Sequence, residues 1–209
     1  MKNGNTMQQQ TTRGILQVGC VSALVIAFTV ALPQAAHADR VTPPYVPDQL
    51  RVLAPNKAFL VGHAVGTQNY ICLPKGANFA WTLFGPQATL FDDNGNQQIT
   101  HFLSANPGEN GTLRPTWQHS SDSSIAWAAA IQSSTDANFV APGAIPWLLL
   151  QVAGAQYGPA LGHKLTYTTY IQRVNTAGGV PPGDGCTIAT DVGKKALVPY
   201  AADYFFYRP

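Results

Sequence analysis

Ala88-Thr-Leu-Phe-Asp-Asp-Asn-Gly-Asn-Gln-Gln-Ile-Thr100 is the stretch whose reading decides the fold. Two short β-forming runs, ATLF and QQIT, flank the polar Asp92–Asn96 segment. Asn94-Gly95 suits the positive φ that tight hairpin turns need, so the stretch predicts an antiparallel hairpin. The same pattern repeats outward in both directions. Upstream lie Ala58–Val65, Gln68–Leu73 and Phe79–Phe84. Downstream lie Thr116–His119, Ile125–Ile131, Trp147–Ala153, Leu165–Val174 and Ala202–Tyr207, with the second hairpin arm reaching Leu103. Turn signals separate them, among them Pro74-Lys75-Gly76, Gly85-Pro86, Pro107-Gly108 and Ala177-Gly178-Gly179. The longest breaker-free run is LTYTTYIQRV, residues 165–174, whose alternate sets are both partly apolar. It reads as a strand covered on both faces. No stretch sustains a helical apolar period; Ala126–Gln132 alone suits a short helix as well as a strand. The expected fold is all-β, a mostly antiparallel β-sandwich of about eight to ten strands in a single domain.

Composition narrows the function classes. Of 209 residues, 11% are charged, 12 basic and 10 acidic, and Glu109 is the single glutamate. An average soluble domain carries about 25%. Coiled coils and acidic disordered tails need far more charge than this. A net charge of +2 supplies no basic surface for a phosphate backbone, so nucleic acid is excluded as a partner.

The first 38 residues have the layout of a secretory signal peptide. Lys2 and Arg13 precede an apolar run from Val18 to Leu32, and Ala36-His37-Ala38 offers a small-x-small cleavage site before Asp39. The alternative is a retained membrane anchor. Cleavage between Ala38 and Asp39 makes the protein secreted or extracytoplasmic, with no membrane span left in the mature chain. It also removes both of those basic residues, leaving 10 basic and 10 acidic, a neutral domain. Residues 39–56, with Pro43, Pro44, Pro47 and Pro55, read as an extended lead-in to a domain over 57–209. Export leaves two cysteines, Cys72 and Cys186. An oxidising compartment makes a disulfide their simplest state, with free thiols serving as ligands or nucleophile the alternative. The bridge would close a loop of about 115 residues, a length at which chain entropy contributes about 4–5 kcal/mol.

Chemistry-bearing motifs are sparse. His63, His101, His119 and His163 are scattered without metal-ligand spacing, so no metal or cofactor is assigned. His101, His119 and Asp122 converge near Trp117 if adjacent strands pair, which is the arrangement an enzyme or metal protein would use. No nucleophile elbow, phosphate loop or dinucleotide fingerprint occurs. Ser120–Ser124 around Asp122 suits a polar turn. Asn110-Gly111-Thr112 is a glycosylation sequon. Trp81, Trp117, Trp127, Trp147 and the Tyr204-Phe-Phe-Tyr207 run make the chain rich in large rings. Two uses compete for them, core packing and an exposed face for a neutral glycan.

VGTQNYIC, FGPQATLFDDNG, PTW, IPWLLLQVAG, YIQRVNTAGGVPP and VPYAADYFFY, taken in order, resemble the DUF3455 family of exported proteins without an established function. The resemblance covers about residues 57–207. It implies recurring positions at His101, Trp117, Arg173 and Asp203, with the two cysteines, and these are the candidate ligand-binding residues together with Asp122. Arg173 and Asp203 are also candidates for a buried ion pair. The family's G-P-T-W-x-x-x-D-G-S segment is here Arg114-Pro-Thr-Trp117 followed by Asp122-Ser123-Ser124, both glycines being replaced. The expectation from all of this is a non-catalytic extracytoplasmic binding or surface module, with an enzyme or metal site near His101, Trp117 and Asp122 as the alternative.

Overall fold

Eight strands follow one another along the chain: β1 (Lys57–Lys75), β2 (Asn78–Phe91), β3 (Gln97–Asn106), β4 (Thr112–His119), β5 (Ile125–Ser134), β6 (Trp147–Gln156), β7 (Tyr170–Gly178) and β8 (Lys195–Arg208). They come from a computed structural model that describes residues 41–209. The expected signal segment and its cleavage site lie outside the described residues. Each strand pairs antiparallel with the next, and β8 returns to β1 from Lys57↔Arg208 to Ile71↔Lys195, closing a barrel.

The all-β, antiparallel expectation holds, but the architecture is a closed barrel rather than a sandwich. Ten predicted stretches become eight strands because two apparent breaks are not breaks. Gly66 stays in both ladders, opposite Ala88 on one side and Tyr200 on the other. β1 therefore runs unbroken for 19 residues. A side chain at Gly66 would sit 2.6 Å from the Ala88 Cβ, so glycine there lets two strands approach where the sheet bends. Gly85, at φ 152°, and Pro86 likewise stay within β2, and the bulge between Asn69 and Tyr70 lies opposite them. Long strands that coil at such points close on themselves, whereas straight short ones stack as two layers.

The Leu165–Val174 expectation shifts. The strand begins at Tyr170 and runs to Gly178. Residues before it turn, with Thr166 donating to the His163 carbonyl and Thr168 to the Leu165 carbonyl. That turn sends Leu165, fully buried, into one end of the barrel. Ala126–Gln132 is strand, part of β5.

Alternation along β8 serves two cores. Tyr200, Ala202, Tyr204 and Phe206 point into the barrel with Leu90, Ile99, Trp117 and Ile171. Phe205 and Tyr207 point outward with Trp147, Leu149 and Val174, and the lead-in covers them through Val46 and Leu50. The lead-in is therefore an outer-wall cover, fastened by Gln172 Nε2 donating to the Leu50 carbonyl at 2.5 Å and by Tyr207 Oη donating to Gln172 Oε1. Cys72 and Cys186 form the disulfide, with Cα atoms 5.5 Å apart. It ties the loop between β7 and β8 to β1. Among the described residues no helix is long and apolar enough to cross a membrane.

Candidate functional site

β3 and β4 pair so that His101 faces Trp117 across the ladder. Both rings point inward and stack, centroids 4.2 Å apart and planes within 11°. Tyr204 meets the Trp117 ring edge-on at 5.7 Å. His101 Nδ1–H donates to the Thr116 carbonyl at 2.8 Å. That bond fixes the tautomer and leaves the lone pair on Nε2. Burial pushes His101 down to about 3, and the nearby Arg173 charge adds to the shift.

Arg173 enters the same space from β7, opposite Leu148 of β6 and Tyr204 of β8. Its Nε and Nη2 donate to the Pro146 carbonyl at 3.3 and 2.8 Å. Among the described residues no carboxylate pairs with it; the acids that form ion pairs do so elsewhere. Its charge reaches Tyr70 and Tyr200, where burial raises both phenols and the guanidinium opposes that rise.

Around these groups lies a small, partly open cavity of about 40 Å³ on the inner side of the barrel wall, with Gln68, His101, Trp117, Arg173 and Tyr204 as its polar or aromatic lining. Prolines and leucines of β2, β4 and β6 complete the wall. Leu165, Ile99 and Leu90 close the barrel below it. Above it, Tyr70 Oη donates to the Gly179 carbonyl at 2.7 Å, and Tyr200 and Tyr204 hydroxyls sit 3.2 Å apart. Two buried donors in this lining, Gln68 Nε2 and Trp117 Nε1, have no hydrogen-bond partner. The Gln68 amide makes a weak hydrogen-bonding approach to the Tyr200 hydroxyl that opposes the rise of its pKa, without a hydrogen bond of normal geometry.

Three of the five residues expected in a ligand site therefore converge: His101, Trp117 and Arg173. Asp203 does not. It neighbours Tyr204 on β8 and so faces outward, where its carboxylate takes His63 Nδ1 at 2.6 Å and Asn175 Nδ2 at 2.7 Å. The Arg173–Asp203 ion pair consequently does not form, because strand alternation puts the two on opposite faces of the wall. His63 Nε2 also reaches Asp93 at 2.8 Å, and the hydrogen bond it donates to Asp203, then that to Asp93, raises its pKa.

Asp122 is also elsewhere. In the loop between β4 and β5 it accepts from the Ser124 N–H and hydroxyl and from the Lys164 N–H, at 3.0, 2.7 and 2.8 Å. Those bonds outweigh its partial burial and hold its carboxyl well below the usual range. Its partner is His119, 3.1 Å away. The surface hollow beside it, with Phe59, His163, Lys164 and Arg208, shares no residue with the interior cavity. Asp122 knots two loops, so the His101–Trp117–Asp122 constellation is not assembled. Among the described residues no three His, Cys, Asp or Glu side chains gather as a metal would require.

Trp117, Trp127 and Trp147 are buried, and Trp81 is half-buried with its Nε1 on the Asp184 carbonyl at 2.8 Å. Core packing is their main use. The residue missed by sequence reasoning is Gln68. Its signal was a polar amide beside Asn69 within a run of strand-forming residues, which is ambiguous until the register shows which face it occupies.

Comparison with curated proteins and with solved structures finds no match. A family model described as "Protein of unknown function (DUF3455)" matches residues 53–208, almost the whole described domain. The chain belongs to the DUF3455 family.

Proposed function

We propose that this chain is an exported, non-catalytic binding protein whose ligand is held inside the barrel by Gln68, His101, Trp117 and Arg173. The observation that carries the reading is unspent hydrogen-bonding capacity in one place: a half-buried arginine without a carboxylate and two buried N–H donors without a partner of normal geometry, around a cavity. Each unsatisfied buried donor costs about 1–3 kcal/mol, and the half-buried Arg173 guanidinium keeps donors that no protein group takes up. A ligand that satisfies them recovers that energy on binding. The same groups argue against proton-transfer chemistry. Among the described residues no carboxylate, serine or thiol lines the cavity, and its histidine is held neutral far below the range where it would exchange protons at pH 7.

Export is supported by the N-terminal layout, the Cys72–Cys186 bridge and the charge-poor composition. N-terminal sequencing of the protein recovered outside the cytoplasm tests it, with Asp39 expected as the first residue. A purely structural surface role fits less well, since it needs no interior polar cavity. A neutral glycan laid on tryptophans has only Trp81 to meet.

The binding reading is tested by a thermal-shift screen of small polar molecules against the wild type and Leu148→Phe, which fills the cavity with apolar bulk. Compounds that raise the wild-type Tm by several degrees and leave the variant unmoved are expected. A screen without such compounds, or one whose hits survive in the folded variant, rejects an interior site.

A further inference from the structure

We propose that the ligand of this cavity is a small carboxylate, held head-first by the Arg173 guanidinium with the Trp117 and Gln68 side-chain N–H groups as supporting donors. The proposal rests on the interior-binding reading above and names its ligand class.

Charge decides first. Arg173 is the one full charge in the lining, and no anion of the protein answers it among the described residues. A cationic ligand is repelled, and a neutral one leaves the half-buried guanidinium without an opposite charge. Donor count points the same way. Nε and one hydrogen of Nη2 are committed to the Pro146 carbonyl. Nη1 and the second hydrogen of Nη2 remain, and together they form the guanidinium edge that takes a carboxylate through two parallel bonds. The Pro146 contact sets the plane of the fork, which pre-orients that edge. Trp117 Nε1 and Gln68 Nε2 add two buried donors without partners. The acceptors in the lining are the Nε2 lone pair of neutral His101, the Gln68 side-chain carbonyl and the Tyr204 hydroxyl, none of them charged.

Size decides next. A water-sized group occupies roughly 10–15 Å³ by the same measure, so about 40 Å³ admits roughly three such groups. That matches one carbon and two oxygens. The rest of a small carboxylate lies toward the cavity's open side, whereas a sugar ring exceeds the space.

The test uses the purified protein with its disulfide intact, labelled with ¹⁵N. The Trp117 indole N–H resonance, assigned by its loss in Trp117→Phe, is followed while sodium acetate, sodium formate, sodium chloride and acetamide are titrated at constant ionic strength. Acetate and formate are expected to shift it saturably, chloride and acetamide to leave it in place. Arg173→Lys should weaken acetate binding at least tenfold, and Arg173→Met should abolish it. Should the methionine variant not fold, the lysine variant and the acetate–acetamide contrast carry the test. Acetamide moving the resonance where acetate does not would overturn the carboxylate while leaving an interior binding site. Chloride acting as well as acetate, or acetate binding unchanged in either arginine variant, would overturn the carboxylate assignment too. No shift with any of the four overturns both.

Discussion

At the residue scale, two histidines on neighbouring parts of the wall respond oppositely to acid. His101 is fully buried and held at about 3, below its ordinary 6.5. As pH falls through 6.5 the unfolded chain takes up a proton at this position and the folded one does not. Its contribution to stability is therefore lost progressively as pH falls from about 6.5 toward 3. His101→Phe keeps a flat ring against Trp117 and removes the proton site. Urea midpoints at pH 7.5, 6 and 4.5 should fall less steeply in that variant than in the wild type. His63 behaves the other way. Its folded value is raised by the Asp203 and Asp93 carboxylates, so its stabilising contribution is present below 6.5 and lost as pH rises through the folded value. The side chain is 42% exposed, which keeps that contribution small. An NMR titration should place His63 above 6.5, and Asp203→Asn should bring it down. Neither environment is written locally. His101 and His63 are equally isolated in the sequence; strand alternation put one in the barrel and the other against two outward carboxylates.

At the element scale, the antiparallel hairpin around Asn94-Gly95 was legible, and so were most turns, because short-range backbone preferences decide them. Gly95 has φ 80°, and Asp92 accepts the Asn94 and Asn96 N–H groups within the same turn. Gly66 and Gly85-Pro86 carried the same local signal and meant something else. There glycine permits close strand approach inside a continuous ladder. Gly66→Ala is accordingly expected to cost about 3 kcal/mol, since its Cβ would meet the Ala88 backbone, which has little room to yield. Gly76→Ala, in open space at φ 62°, should cost only about 1–2 kcal/mol of left-handed backbone strain. Urea denaturation of the two variants distinguishes packing at a bend from simple turn conformation. β7 teaches the same lesson: the β propensity of residues 165–169 yielded to the burial of Leu165 at the barrel end.

At the scale of the whole molecule, the cover and the bridge hold distant parts of the chain to the barrel. Cys72→Ser with Cys186→Ser is expected to cost about 4–5 kcal/mol, read as the shift in denaturation midpoint against the oxidised wild type. Leu50→Ala, which removes the fully buried anchor of the outer cover, should cost about 2–5 kcal/mol by the same measurement. The strand-forming runs, their antiparallel order, the pairing of the two cysteines and the scarcity of charge follow from composition and from patterns a few residues long. Hairpin chemistry acts over such distances. Closure does not: the β1–β8 pairing joins the two ends of the domain, and no local pattern distinguishes a sheet that closes from one that stacks. The site was undecided for the same reason. His101, Trp117 and Arg173 were visible as candidates, but so were Asp122 and Asp203. Only the register of seven strands around one cavity placed three of them on its inner face with Gln68, and turned Asp203 to the outer wall while Asp122 stayed in its loop.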